Sequence, residues 1–206
     1  YSFHETKNII SGEGGALLVN DEELVSRAEI IREKGTNRSG FFRGEVSKYT
    51  WMDIGSSYLP GEITAAFLLA QMMDAEQITS RRLAIWDRYN AAFKTIAKSS
   101  LVSLPTVPNQ IDHNAHMFYM LLNDNNIRDK FIYEMKLANI SCVFHYVPLH
   151  SAPQGLKSGR SSGTLNVTID MASRLVRLPL WLGLEEYQDY VIESAIRIIG
   201  SLDCIN

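Results

Sequence analysis

The spacing of apolar residues predicts short strands that alternate with helices along the chain. The predicted strands are apolar runs too short to be helices, and the predicted helices carry apolar residues three or four positions apart. Such alternation is typical of α/β and α+β proteins, so we expect an α/β fold. The predicted strands lie at Ala16–Val19, 117–122 and 141–145, and the predicted helices lie at about 20–35, 62–97, 128–138, 169–176 and 185–199.

The stretch from about residue 62 to 97 contains no Gly or Pro. It is much longer than the three or four turns of an average globular helix. We therefore expect two helices, or one helix bent near Thr79–Ser80, joining two domains at residues 1–79 and 80–206. The aromatic stripe formed by Trp86, Tyr89 and Phe93 is predicted to be core.

Two segments lack any apolar period. Residues 36–58 mix Gly, Ser, Asn and Arg with aromatic residues, and residues 151–164 are rich in Gly, Ser, Pro and Lys. Long irregular segments within compact domains are usually functional or disordered. The aromatic residues favour a functional loop at 36–58, and we expect a mobile loop at 151–164.

Composition narrows the classes of function. The chain has 20 Lys and Arg against 23 Asp and Glu, a net charge of −3. It therefore lacks the basic surplus of a dedicated nucleic-acid-binding protein. No apolar run reaches the ~20 residues that span a bilayer, so we expect no membrane association. The two cysteines, Cys142 and Cys204, are far apart, which indicates no disulfide framework and fits a reducing cytoplasm.

The chain begins with Tyr1 rather than Met, and no leader pattern of charged and apolar residues follows. We interpret it as cut from a longer protein. On that interpretation, part of an active site would be formed by residues outside these 206.

Lys7 lies in the segment Ser2-Phe-His-Glu-Thr-Lys7-Asn8, just before the glycine-rich turn Gly12–Gly15. A lysine that forms a Schiff base must be held in a partly dry pocket, where its neutral amine is populated. Ser2 and nearby backbone N–H groups could hold a phosphate. From the residues alone, an ordinary exposed lysine and a nucleophilic one both remain open.

Two further clusters have competing interpretations. His145–His150 could simply pack, could join His113 and His116 around a metal, or could contact a substrate. Since no carboxylate or cysteine completes a ligand set, we predict no metal site. The segment Arg32–Arg38, with Arg43 nearby, is either a solvated helix end or an anion site for a diphosphate.

Several separated motifs together resemble the DegT-type nucleotide-sugar aminotransferases. The lysine segment and its glycine-rich turn carry the resemblance most strongly. The remaining motifs occur in the family's order, and the similarity covers nearly the whole chain. They are Ala28–Arg38, Lys48–Leu59, Asn114–Tyr119, Val143–His150 and Arg177–Leu180.

The resemblance implies an aspartate-aminotransferase-like fold and pyridoxal 5′-phosphate as cofactor. It implies that Lys7 bonds to the cofactor aldehyde and moves the proton between cofactor and substrate, and that Ser2 binds the cofactor phosphate. Ser57 would contact the phosphate across a dimer, although Leu59 stands where many relatives have Arg. The substrate-binding residues that it implies or makes plausible are Arg38, Arg43, His145, Tyr146 and His150.

The implied reaction moves an amino group from L-glutamate to C4 of dTDP-4-dehydro-6-deoxy-D-glucose, giving dTDP-4-amino-4,6-dideoxy-D-galactose. The resemblance also implies a cytoplasmic homodimer with the active site at the subunit interface, serving surface polysaccharide (enterobacterial common antigen) synthesis. Three alternatives remain. They are an aminotransferase acting on another keto-sugar, a non-catalytic assembly fragment, and a sugar 3-dehydratase. Lys7 argues against the dehydratase, because relatives of that type carry His at this position.

Overall fold

The computed structural model describes residues 1–99 and 101–203, and the chain divides into two compact units. The first unit is Tyr1–Glu76, and the second begins at Gln77. The assignment of residues 1–79 to a cofactor domain and of the remainder to a small domain stays a prediction. Cys204 lies outside the described residues.

The first unit opens with a hairpin formed by residues 1–16, which we call the lysine hairpin. Ser2 and Gly15 form an antiparallel bridge, and the Phe3 N–H donates to the Gly14 carbonyl at 2.9 Å. A Cβ on Gly15 would lie 2.9 Å from the Tyr1 carbonyl oxygen, so the close approach of the two arms requires glycine. The glycine-rich turn thus allows the second arm to fold back on the first.

Three helices follow in the first unit. The first is capped by Asp21, whose side chain accepts the Glu23 N–H at 3.0 Å. Its carboxyl end closes at Gly35, which has a φ of +78° and donates its N–H to the Ile30 carbonyl at 2.8 Å. The helices are α1 (Glu22–Arg32), α2 (Arg38–Phe42) and α3 (Glu62–Met73).

The strand predicted at Ala16–Val19 is wrong. Leu17 and Leu18 are 79% and 65% exposed, and no described residue pairs with the backbone of residues 17–19. A strand needs a neighbour to bond its N–H and C=O groups, which an apolar run cannot specify by itself. The predicted loop at 36–58 contains α2, together with an antiparallel bridge between Thr36 and Trp51.

The long helical stretch divides at Asp74, which caps the end of α3, a few residues before the predicted bend. The next helix, α4 (Ala75–Lys98), packs Tyr89 and Phe93 into the core of the second unit. With Trp86, these residues confirm the predicted core stripe.

The second unit is built on a four-stranded antiparallel sheet in the order β1-β2-β4-β3. Phe118, Met120 and Leu122 alternate along one face of its central strand and are fully or almost fully buried. The strands are β1 (Val102–Ser103), β2 (Phe118–Leu122), β3 (Val143–Phe144) and β4 (Leu175–Leu178).

Helices cover the buried face of this sheet. Phe131 and Met135 point inward from α5, and Cys142 is also buried. The remaining helices of the unit are α5 (Asn125–Leu137), α6 (Pro153–Ser158), α7 (Asn166–Arg174) and α8 (Gln188–Asp203), with 3₁₀ turns at Leu149–Ser151 and Leu184–Glu186.

Two predictions in the second unit are wrong in part. The helix predicted at 169–176 ends at Arg174, because Leu175–Leu178 pairs with β2 on one side and with β3 on the other. Tertiary pairing overrides the local pattern there. The segment 151–164, predicted to be loop, contains α6, which opens on Pro153, a favoured residue in a first helical turn.

Candidate functional site

Lys7 lies on the turn that joins the two arms of the lysine hairpin. Its N–H donates to the His4 carbonyl at 2.9 Å, and the Ser11 N–H closes the loop on the Phe3 carbonyl at 2.7 Å. The Lys7 side chain is exposed, and its ammonium group has no ion-pair or hydrogen-bond partner among the described residues. The amine is therefore free to react, but the described residues around it do not form the dry pocket that a nucleophilic lysine needs.

Ser2 lies in the first arm of the same hairpin. Its backbone is bridged to Gly15, and its hydroxyl accepts the His4 N–H at 3.4 Å. The side chain is exposed. The hairpin thus places a free amine and an exposed hydroxyl on one short element whose backbone is fixed by cross-arm hydrogen bonds.

Ser57 is held against the end of α1. It bridges Glu33, while the neighbouring Ser56 carbonyl accepts the Lys34 N–H at 3.0 Å. Ser57 is exposed, so its hydroxyl can reach an external group. A serine hydroxyl can donate one hydrogen bond to a phosphate, whereas the Leu59 side chain can donate none.

Arg43 is occupied by carboxylates. It makes two hydrogen bonds of 2.8 Å to Glu29 and bonds of 2.8 and 3.1 Å to Glu45. These hydrogen bonds lower the pKa of both carboxyls and raise the pKa of the guanidinium. A diphosphate would have to displace two anions from Arg43, which argues against the substrate role predicted for it.

Arg38 is available where Arg43 is not. Its guanidinium carbon lies 5.1 Å from the centre of the Phe42 ring, and the side chain has no carboxylate partner within the described part of the chain. Stacking on an aromatic ring leaves the edges of a guanidinium free to bind an anion. Of the two predicted arginines, the structure therefore favours Arg38.

The segment His145–His150 follows β3 in the second unit, and we call it the histidine segment. The rings of His145 and Tyr146 lie 5.2 Å apart, and the Arg177 guanidinium carbon is 5.4 Å from the centre of the Tyr146 ring. Tyr146 adopts a left-handed backbone with φ of +56°, uncommon for an aromatic residue. This conformation brings three polar side chains together where the sheet ends.

Several nitrogen atoms around this segment are buried without hydrogen-bond partners. They include Nδ1 of His145, Nε2 of His150 and Nε of Arg177. Burial, reinforced by the positive charge of Arg177, lowers the pKa of His145. Buried polar atoms without partners are rare in folded proteins, so this cluster is a candidate for ligand contact.

A cavity of about 340 Å³ adjoins the histidine segment. Its lining includes Tyr146, Pro148 and Ser151, together with Arg128. Arg128 donates to the Asn125 side chain at 2.6 Å and lies 2.7 Å from a carboxylate oxygen of Asp129. Its Nη1 is buried without a partner.

The sequence pattern assigns no site role to Arg128 or Arg177. Arg128 was predicted only as the start of a helix, and Arg177 only as part of a motif. Arg128 on α5 lines the same cavity as Tyr146, and Arg177 on β4 stacks on the Tyr146 ring. The one available signal was the Arg-Leu-Pro-Leu motif at 177–180, whose register against β3 could not be known from the sequence.

The predicted site residues thus fall into two groups. Lys7, Ser2, Arg38, Arg43 and Ser57 belong to the first unit, and His145, Tyr146 and His150 belong to the second. Within residues 1–99 and 101–203, no group of three or more His, Cys, Asp or Glu side chains could hold a metal ion. No helix in that same part of the chain is long and apolar enough to cross a membrane.

Known proteins are similar to this chain in both sequence and fold. An uncharacterized protein of Methanocaldococcus jannaschii is 29% identical over 98% of this chain and 53% of its own length. The dTDP-4-dehydro-2,3,6-trideoxy-D-glucose 4-aminotransferase of Saccharopolyspora spinosa is 28% identical over 90% of this chain and 48% of its own. The crystal structure of a DegT DnrJ EryC1 StrS aminotransferase from Brucella abortus superimposes with a TM-score of 0.80 at 26% identity, covering 97% of this chain and 50% of that one.

These similarities define the fold as that of pyridoxal-phosphate-dependent sugar aminotransferases, which confirms the predicted fold class. The model of the DegT/DnrJ/EryC1/StrS aminotransferase family matches residues 1–196, and the chain belongs to that family. Aminotransferases of this family use pyridoxal phosphate. The chain spans about half the length of the curated relatives it matches.

Proposed function

We propose that the protein to which this chain belongs is a pyridoxal-phosphate-dependent nucleotide-sugar aminotransferase in which Lys7 is the catalytic lysine. The observation that carries the proposal is the free amine of Lys7 at the turn of a hairpin fixed by glycine, in a chain of this family. Among the described residues, no carboxylate competes for that amine. The domain assignment at residues 1–79 and 80–206 forms part of the same proposal.

The chemistry of the lysine hairpin fits the cofactor. Pyridoxal phosphate supplies an aldehyde that condenses with an amine, with loss of water, and a ring that withdraws electrons. Lys7 carries the amine, and Ser2 on the same hairpin carries an exposed hydroxyl suited to the phosphate. Ser57 would add a further hydroxyl from the end of α1. Once displaced by an incoming amine, Nζ of Lys7 can take and return the substrate proton as a general base and acid.

The proposed substrates are L-glutamate and dTDP-4-dehydro-6-deoxy-D-glucose, aminated at C4. A relative named as acting on a dTDP-4-dehydro sugar supports this class. Arg38 has a free guanidinium for an anionic diphosphate. His145, Tyr146 and His150 offer donors and acceptors of the kind that bind sugar hydroxyls, and two of their ring nitrogens have no partner.

The proposed assembly is a homodimer in the cytoplasm, with Ser57 facing the phosphate of the partner subunit's cofactor. Its product would serve surface polysaccharide synthesis, for example that of enterobacterial common antigen. We expect the cross-dimer contact to be weaker than in relatives that have Arg in place of Leu59, because the Leu59 side chain can donate no hydrogen bond.

The decisive experiment compares Lys7→Ala with Lys48→Ala in the full-length gene product. Lys48 is another exposed lysine of the first unit. We expect Lys7→Ala to abolish the visible absorbance band of lysine-bound pyridoxal phosphate and to lower transamination about 10³-fold or more. Lys48→Ala should match the unchanged protein. Near-normal turnover by the Lys7→Ala protein would end the proposal.

A second experiment defines the sugar. Glutamate-dependent amination is measured with dTDP- and UDP-linked 4-keto sugars, and the product is examined by NMR for its configuration at C4. Preference for a UDP-linked sugar would replace the proposed substrate but keep the enzyme class. Failure of the protein to bind pyridoxal phosphate would favour the non-catalytic alternative.

A further inference from the structure

We infer that His4 is the positioning residue that holds the turn carrying Lys7. The inference rests on the proposed function of Lys7, and it concerns how the reactive amine is held in place. His4 is half-buried in the first arm of the lysine hairpin, three residues before the lysine.

The His4 ring is bonded to the residue next to Lys7. Its Nδ1 accepts the backbone N–H of Thr6 at 3.2 Å and lies 2.9 Å from the Thr6 hydroxyl. A backbone N–H can only donate, so Nδ1 is the unprotonated nitrogen of the ring. The Thr6 hydroxyl then donates to it as well, and the neutral ring carries its proton on Nε2.

The other edge of the ring faces the opposite arm. Nε2 of His4 lies 3.6 Å from a carboxylate oxygen of Glu13. The backbone of His4 contributes too, since its carbonyl accepts the Lys7 N–H at 2.9 Å and its N–H donates to the Ser2 hydroxyl at 3.4 Å. His4 therefore contacts Ser2, the proposed phosphate-binding residue, and also Thr6 and Lys7 in the turn. It faces the opposite arm of the hairpin as well.

The contacts of His4 differ in position from the backbone bonds of this turn. The Lys7 side chain is exposed and makes no described contact that would orient it. The backbone bonds that close the loop, from Glu5 to the Gly12 carbonyl and from Ser11 to the Phe3 carbonyl, lie at the base of the turn rather than at Lys7. The His4–Thr6 bonds hold the residue that directly precedes the lysine. Since reaction rates depend on how well a reacting group is held, their loss should slow the chemistry of Lys7.

Two substitutions of His4 distinguish the contribution of its hydrogen-bond acceptor from that of its ring packing. Asn at position 4 keeps an acceptor that can take the N–H of the residue two positions on, as in an Asx-turn. Phe keeps the planar ring and its packing but has no acceptor. His4→Asn should therefore preserve the turn, and His4→Phe should release it.

The test uses the full-length gene product, pyridoxal phosphate and borohydride, which supplies the hydride that traps the lysine–cofactor bond irreversibly. Peptide mass spectrometry then gives the rate of labelling at Lys7. We expect His4→Phe to label about tenfold more slowly, as the loss of one or two hydrogen bonds predicts, and His4→Asn to label within about threefold of the unchanged protein. Thr6→Val removes only the hydroxyl, so its labelling rate should fall between those of His4→Phe and His4→Asn. If His4→Phe does not fold, the rate of Thr6→Val provides the test instead.

His113 provides the matched control. Its Nδ1 accepts the Ala115 N–H at 3.3 Å, a bond of the same span in the second unit. His113→Phe should leave labelling at Lys7 unchanged. The role of His4 would be overturned if His4→Phe labelled at the same rate as the unchanged protein, or if His4→Asn labelled as slowly as His4→Phe. Either result would leave the proposed function of Lys7 intact. Absence of any label at Lys7 in the unchanged protein would instead overturn the proposed function, and the role of His4 with it.

Discussion

The two units of this chain differ in how their apolar residues are used. The second unit buries aromatic and aliphatic side chains from α4, α5, α8 and the sheet in one continuous core. Among residues 1–76, all of which the structure describes, Gly35 alone is buried. Large apolar side chains of that unit are exposed instead, including Ile63 at 89% and Met73 at 79%.

This difference separates a unit that has an apolar core of its own from one that has none among its described residues. Burial of apolar surface, at roughly 25 cal/mol per Å², accounts for the second unit. The contacts within the first unit include backbone hydrogen bonds in the lysine hairpin and exposed ion pairs such as Arg27–Asp53 and Arg43–Glu29, which contribute little to stability. Extended exposed apolar surface usually marks a face that contacts other protein. The proposed catalytic lysine thus lies in the unit that depends least on a core of its own.

Phe118→Ala should have the largest effect on the stability of the second unit. Phe118 is fully buried between Trp86, Tyr89 and Phe93, with ring centres 5.1 to 5.9 Å apart. Removing the ring leaves a cavity, so we expect a loss of about 3–5 kcal/mol in the free energy of unfolding. Urea denaturation of the 206-residue chain measures it, with the exposed Tyr133→Ala as control. A loss below about 1 kcal/mol would contradict the core described here.

Arg82→Met tests the buried polar part of the same unit and should have the next largest effect. Arg82 is 7% exposed and donates to the carbonyls of Ala115 and His116 at 3.1 and 2.8 Å. Burial lowers the pKa of its guanidinium. Met keeps much of the stem but donates nothing, so we expect a loss of about 2–3 kcal/mol, measured by the same denaturation. A neutral result would show that these bonds only replace bonds to water.

The sequence predicted the second unit better than the first, for the same physical reason. The apolar stripe of Trp86, Tyr89 and Phe93 and the inward face of α5 follow from helical spacing, because that spacing reflects burial within one unit. Ala16–Val19 is equally apolar, but Leu17 and Leu18 remain unpaired and exposed, so the pattern carries no information about a partner. The strand β4 was missed because its identity depends on β2 and β3, which are distant in sequence.

The candidate site was predictable only in part. The Lys7 segment could be found because its residues lie together in the sequence and resemble a known family. The carboxylates that occupy Arg43 could not be foreseen, since Glu29 reaches it from α1. Arg177 was missed for a similar reason, because the register of β4 places it beside Tyr146.

His145 lies at the surface of the second unit, and we expect its titration to have a smaller effect on stability. Burial and the charge of Arg177 lower its pKa from the ordinary value of 6.5. The native state therefore binds fewer protons than the unfolded state just below that pH, and stability should fall as the pH drops below 6.5. Arg177→Met should move the NMR titration midpoint of His145 upward, and Arg174→Met should not. A midpoint unchanged by Arg177→Met would leave burial as the whole cause.

Ile63→Ala should have the smallest effect and bears most directly on the contrast between the units. Ile63 on α3 is 89% exposed, whereas Ile85 on α4 is 1% exposed, so the same substitution removes the same atoms from opposite environments. In the 206-residue chain we expect Ile63→Ala to change the free energy of unfolding by less than about 0.5 kcal/mol, and Ile85→Ala to cost about 2–5 kcal/mol. The same pair measured in the full-length gene product then tests whether α3 is covered there. If the cost of Ile63→Ala rises toward that of Ile85→Ala, other segments complete the core of the first unit. If the cost stays small, the apolar face of α3 remains open to solvent in the full-length protein.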